Sequence, residues 1–272
     1  MKSFVLRLRA RSNCSIPISN GYYVYSSLCA FTRGKTLDNV FHPREEGEKS
    51  LAISPLYCGD FQRSTGANDL EFRKNETGSL KISFLIDENG DEFAGMIESL
   101  AQKGVLMRIG RDALFSVDSV ERPGQHRFAL ALSPESLLKN GSFSTVGFEF
   151  FSPCGFKRQG RQIFLPLPEL IFGGLLRKWR FFFEPAAWPA LDESLACMEI
   201  LHYRTESRAV MMREDRVFRG FVGSVEFDAN IGFCESKEAI GALAGLSFFT
   251  GVGYKTVQGM GHTVPYFRMR GD

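Results

Sequence analysis

The sequence predicts an α+β fold in which two similar halves follow one another, and three observations carry that prediction. Segments of period-two alternation are interleaved with segments of helical spacing, in the same order in each half. A polar stretch, SPESLLKNGS at 133–142, separates the halves. The length of 272 residues, at roughly 150 per domain, suits two domains. A hydrophobic content of 44% with 26 Phe is enough for packed cores and argues against disorder.

The first half opens with SFVLRLRAR, residues 3–11, where Phe4, Leu6, Leu8 and Ala10 alternate with Arg7, Arg9 and Arg11. This predicts a strand with one apolar and one cationic face. Ser19 or Asn20 can cap a helix over GYYVYSSLCAF, with Tyr22, Tyr25, Ser26 and Cys29 on one stripe. A polar loop follows, roughly from Thr32 to Lys49, then strand-like runs at 51–58, 69–74 and 79–87. DEFAGMIESLAQKG has helical spacing through Phe93, Ile97 and Leu100 and stops at Gly104. Strands are expected again at VLMRI and at HRFALAL.

In the second half STVGFEFFSP reads as a strand, and LPELIFGGLLRKWRFF as a helix with Pro166 and Pro168 at its start. LACMEILHYRTESRAVMM and DRVFRGFVGSVEFDA read as long strands, ESKEAIGALAGLSFF as a helix and HTVPYFRMR as a closing strand. Strand, helix, strands, helix, strand is the split βαβ pattern of a ferredoxin-like domain. The expected organisation is therefore two tandem ferredoxin-like βαββαβ domains, at 1–135 and 141–272.

Charge and cysteine usage exclude several classes. Lys plus Arg number 33 against 31 acids, a net charge of +2, so a basic surface must come from arrangement rather than excess. Six cysteines at 14, 29, 58, 154, 197 and 234 form no CxxC or Cys/His ligand spacing, so neither a zinc site nor a disulfide framework is expected. Met1 leads into alternating Arg rather than a signal peptide, and no apolar run approaches the ~20 residues of a membrane span. A cytoplasmic location without membrane association is the expectation.

The most unusual segment is GVGYKTVQGMG, residues 251–261, with Gly251, Gly253, Gly259 and Gly261 around Lys255. Glycines at this density let backbone N–H groups approach a phosphate, and lysine adds a point charge. The loop lacks the GxxxxGK[ST] of a P-loop, and it leaves a helix to enter a strand, opposite to a Rossmann loop. Taken alone, such a turn is more often structural.

Together with LAISPL at 51–56, the block FEFFSPCGFKRQGRQIFLPLPELIFGGLLRKW and FRGFVGSVEFDA, this loop resembles the pattern of the Cas6 family. These are CRISPR repeat-processing endoribonucleases of the RAMP superfamily. The resemblance runs from GYYVYSSL to the glycine loop. It implies two ferredoxin-like domains of the RNA-recognition type and metal-independent cleavage of precursor CRISPR RNA within each repeat, without a cofactor. The products implied carry a 2′,3′-cyclic phosphate and a 5′-hydroxyl. Such chemistry needs a base near neutral pKa to take the 2′-OH proton, usually histidine.

His42 lies in the polar loop, twelve residues before Ser54, where the family carries its catalytic histidine. Lys49, seven residues on, lies near the place of a lysine that stabilises the charged phosphorane, a role worth several kcal/mol at such sites. A tyrosine that some relatives carry late in this helix would fall near Cys29, so the substitute hydroxyl donors are Tyr25, about one turn earlier, and Tyr22, one turn before that. Lys35 is a further possible cation. His126 and His202 read as structural or exposed residues, and His262 adjoins the glycine loop. RNA contacts are expected from the loop residues and from Lys157, Arg158, Arg161, Arg177, Lys178, Arg180, Arg213, Arg216 and Arg219. The expected partner is a CRISPR repeat RNA, read as a hairpin or phosphate path, because an RNP-type aromatic signature is missing. The same fold serves non-catalytic RNA-binding subunits of CRISPR effector complexes, an alternative that His42 disfavours. The family includes monomers and dimers, so homodimerisation and membership of a larger complex stay open.

Overall fold

The computed structural model describes residues 1–33, 47–61, 69–85, 90–139, 142–212, 217–230 and 234–269. The expectations for His42, Lys35, Arg213 and Arg216 fall outside them. The fold is mixed α+β and divides into two compact units. The first is Met1–Ala131 with Val257–Gly259, and the second is Leu132–Thr256 with Met260–Asp272.

The first unit contains β1 (Lys2–Ala10), β2 (Cys14–Pro17), α1 (Gly21–Thr32), β3 (Leu51–Ile53), β4 (Tyr57–Cys58), β5 (Asp69–Phe72), β6 (Thr77–Phe84), α2 (Gly90–Gln102), β7 (Leu106–Arg108) and β8 (Leu114–Glu121). The main sheet runs β3-β6-β1-β8-β7, antiparallel throughout, with β4 also on β6, while β2 and β5 form a separate ribbon. Period two in β1 has the predicted consequence: Phe4, Leu6, Leu8 and Ala10 join one core with Val24 and Leu28 of α1 and Phe93, Ile97 and Leu100 of α2. Each of these side chains larger than alanine contributes about 1.5–3 kcal/mol on burial.

The opposite face departs from the expected cationic surface. Arg7 pairs with Glu121 at 3.1 Å and Asp60 at 3.2 Å, and Arg9 with Asp118 at 2.6 Å, so these two arginines are neutralised by carboxylates from β8 and a turn.

The closing strand also differs. HRFALAL is not a regular strand: His126 and Ala129 close a turn by an isolated bridge. Ser3 donates through Oγ to the Phe128 carbonyl at 2.9 Å and accepts from the Leu130 amide at 2.9 Å, so this segment lies beside the start of β1. The strand paired with β1 is β8, whose pairing shifts between Arg7 and Leu8 so that Asp118 is extra. That bulge changes the phase of in and out along β8, which hid the strand from a period-two reading.

The second unit contains α3 (Pro134–Leu137), β9 (Thr145–Cys154), β10 (Phe156–Arg158), β11 (Arg161–Ile163), α4 (Pro168–Phe182), α5 (Leu191–Leu195), β12 (Ile200–Met211), β13 (Val217–Asp228), α6 (Cys234–Thr250) and β14 (Thr263–Arg268). Its sheet runs β12-β13-β9-β14, again antiparallel. The polar stretch expected as a linker holds α3, with Ser133 accepting from the Ser136 amide as an N-cap. Phenylalanines build this core: Phe148 meets Phe172 of α4 at 5.4 Å, and Phe150 meets Phe221 at 4.8 Å, both edge-to-face. Helix α6 buries Ala239, Ile240, Ala242, Leu243, Ala244 and Leu246 on several sides, as a central helix does.

Candidate nucleic-acid interface

Helix α4 has no side-chain cap, and Pro168 opens it, where the missing N–H costs nothing. Its apolar stripe, Ile171, Phe172, Leu175, Leu176 and Trp179, faces the core. Glu169, Gly173 and Arg177 are spaced four apart and fall on another face. Lys178 is 7% exposed, and its Nζ donates to the Thr250 carbonyl at 3.3 Å, so it satisfies a carbonyl at the end of α6. Burial pushes the neighbouring Cys154 thiol well above its ordinary value, an effect that the charge of Lys178 opposes.

Beyond Thr250 the glycine loop folds back on itself. Gly251, Gly253, Gly259 and Gly261 all have positive φ, and so does Lys255 at 65°. Gly251 donates to Ser247 O at 2.8 Å and ends α6 in a left-handed cap. The Val252 amide bonds Gly261 O at 2.9 Å, Gly261 bonds Pro153 O at 2.9 Å, and Tyr254 bonds Gly155 O at 3.0 Å, which ties the loop to the end of β9.

The loop, α4 and β10 enclose a cavity of about 450 Å³, lined among others by Lys157, Glu169, Gly173, Gly174, Arg177, Lys178, Gly251, Gly253 and Tyr254. Gly251, Gly253, Lys157, Arg177 and Lys178, all expected RNA contacts, are thus brought together. Gly259 and Gly261 are not part of its lining. A Cβ on Gly261 would lie 1.8 Å from the Val252 carbonyl oxygen, and one on Gly259 would lie 2.7 Å from the Gly21 Cα. Close backbone approach accounts for both. Lys255 is half-buried, with its carbonyl accepting from Met260 at 3.3 Å. Arg158 and Arg161 stand opposite each other across the β10–β11 turn, where Gln159 and Gly160 have φ of 49° and 80°, the geometry of a tight hairpin. Both are exposed and form a cationic tip apart from the cavity lining.

Among the expected catalytic residues, Lys49 is exposed just before β3. Tyr25 is half-buried on α1 and packs at the edge of the first core. Burial, reinforced by Cys29, pushes its phenol well above the usual tyrosine range. It is therefore protonated at neutral pH and can donate a hydrogen bond but cannot serve as a base. The other histidines separate clearly. The His126 ring accepts the Phe128 amide at Nδ1 at 3.0 Å and meets Asp60 at 2.8 Å through Nε2, a structural arrangement. His202 is exposed on β12, and His262 is buried with its ring 5.4 Å from Phe151. Among the described residues no three of His, Cys, Asp or Glu cluster as a metal would need, and no helix is long and apolar enough to cross a membrane.

Sequence reasoning passed over Tyr254 and the pair Gly173–Gly174. The available signal was two adjacent glycines inside a confidently helical pattern, where each is unfavourable.

A model of the CRISPR-associated endoribonuclease Cas6 family matches residues 148–263. Among solved structures, a product complex of Cas6 (TTHB231) superposes with a TM-score of 0.78 at 25% identity, over 97% of this chain and 99% of that one. Thermus thermophilus Cas6 (TTHB231) gives 0.70 at 27% identity, over 97% and 98%. A product complex of Cas6 (TTHA0078) gives 0.74 at 23%, over 98% and 100%, a likeness of fold. No curated protein matches the chain significantly. In fold over its whole length, and in sequence over residues 148–263, the chain is similar to Cas6 proteins.

Proposed function

We propose that this protein is a metal-independent endoribonuclease that cleaves precursor CRISPR RNA within its repeats. The observation that carries the reading is the cavity in which the glycine loop meets Lys157, Arg177 and Lys178, in a segment that the Cas6 family model matches. Two tandem ferredoxin-like domains, 1–135 and 141–272, form the scaffold. The strand order supports this: β3, after α1, and β12, after α4 and α5, each lie at a sheet edge beside β6 and β13, with the opening strands β1 and β9 next.

The ribose 2′-oxygen attacks the adjacent phosphorus while His42 takes its proton. The P–O5′ bond breaks, the leaving oxygen is protonated to a 5′-hydroxyl, and a 2′,3′-cyclic phosphate remains. Lys49 supplies positive charge to the phosphorane, and Tyr25, held protonated by burial, supplies a hydroxyl donor. Gly251, Gly253, Lys255, Arg158, Arg161, Arg177 and Lys178 hold the RNA, on a loop whose fold Gly259 and Gly261 permit. Incubating the protein with its own CRISPR repeat RNA in EDTA, followed by end analysis, tests this. Single-site cutting with a cyclic phosphate end is expected. Binding without cutting would instead mark a non-catalytic RNA-binding subunit.

A further inference from the structure

Gly173 and Gly174 lie in the middle of α4, where each costs about 1 kcal/mol relative to alanine. Packing does not require them, because nothing lies within 4 Å of the place where either Cβ would stand. Gly95 of α2 is equally open, but that helix carries no Lys or Arg. The Gly173–Gly174 pair instead lines the 450 Å³ cavity. Lys157 and Arg177 are exposed cations of that lining, and Tyr254 is a half-buried ring backed by Phe218 at 5.1 Å. The volume falls within the range of about 300–1,000 Å³ of small-molecule pockets.

We propose that this cavity seats a single nucleotide of the repeat RNA, a role that rests on the function proposed above. The base lies on the Tyr254 ring, the phosphate faces Lys157 and Arg177, and the sugar edge passes over the bare backbone of Gly173 and Gly174. Side chains at those two positions would fill the space the nucleotide needs. Glu169, the carboxylate of the lining, disfavours a second phosphate and accepts from an amino group of the base. The pocket therefore holds one residue of the strand rather than a run of phosphates.

The test measures thermal stability and repeat-RNA affinity together for Gly173→Leu, Gly174→Leu, Tyr254→Ala, Tyr254→Phe and Gly95→Leu. Leucine is the better helix former, so both α4 variants are expected to melt at or above the wild-type temperature while binding RNA roughly tenfold or more weakly. Gly95→Leu should raise the melting temperature without changing affinity. Tyr254→Phe should bind like wild type, and Tyr254→Ala about tenfold more weakly. Wild-type affinity in the Gly173→Leu and Gly174→Leu variants would overturn the pocket, while cutting and binding by wild type would leave the proposed function standing. A lowered melting temperature in those variants would overturn it too, by showing that the glycines serve packing. Failure of wild type to bind repeat RNA would sink the proposed function itself.

Discussion

Asn20 stands at the N-cap position of α1, yet its side chain makes no bond to the helix. Its Nδ2 donates to the Leu56 carbonyl at 3.0 Å and its Oδ1 accepts the Leu56 amide at 2.7 Å, both buried. Asn20→Ala should therefore destabilise the protein by about 2–4 kcal/mol in a denaturant titration, more than a lost cap, since two buried backbone groups lose their partners. Sequence spacing marked Asn20 as important but gave it a local partner, because a cap is a short-range pattern and a bond across 36 residues leaves none. Lys81 is a second case. It is 2% exposed on β6, and burial holds its ammonium well below the ordinary value of 10.5. The unfolded chain thus binds the extra proton as pH falls below 10.5, so stability rises with pH from the folded value up to 10.5 and then levels off. Lys81→Met should remove that rise, which urea unfolding across pH 7–10 checks.

At the scale of elements, helices and long strands were legible wherever one period held from end to end. The apolar stripes of α2 and α4 and the alternation of β1 and β9 stand where the spacing placed them. β8 was missed because Asp118, the extra residue of its bulge, breaks the alternation; it also supplies the carboxylate that neutralises Arg9. The helix ending at Thr250 depends on a side chain from another helix. Lys178→Met keeps the apolar stem but removes the donor to Thr250 O, and should cost about 1 kcal/mol in stability. That partnership explains how a lysine expected to face RNA is largely buried.

For the whole molecule, a net charge of +2 leaves RNA binding to local clusters rather than to a general field. The logarithm of affinity should fall linearly with that of salt concentration, and Arg177→Gln should reduce the slope by roughly 0.7–0.9. An unchanged slope would remove Arg177 from the phosphate contacts. The resemblance to Cas6 was legible because GVGYKTVQGMG, LAISPL and the PLPELIF block occur together in order, although no one of them is specific. The cavity was not, since it joins residues 157, 173, 177 and 254, which only folding brings together. The central claim is that His42 abstracts the 2′-hydroxyl proton without a metal. The most direct measurement is cleavage of the protein's own repeat RNA in EDTA, comparing wild type, His42→Ala and a substrate with one 2′-deoxy nucleotide at the scissile position. The account predicts one cut by wild type, abolished by either change while RNA binding persists. Cutting by His42→Ala at the wild-type rate, or cutting of the 2′-deoxy substrate, would contradict it.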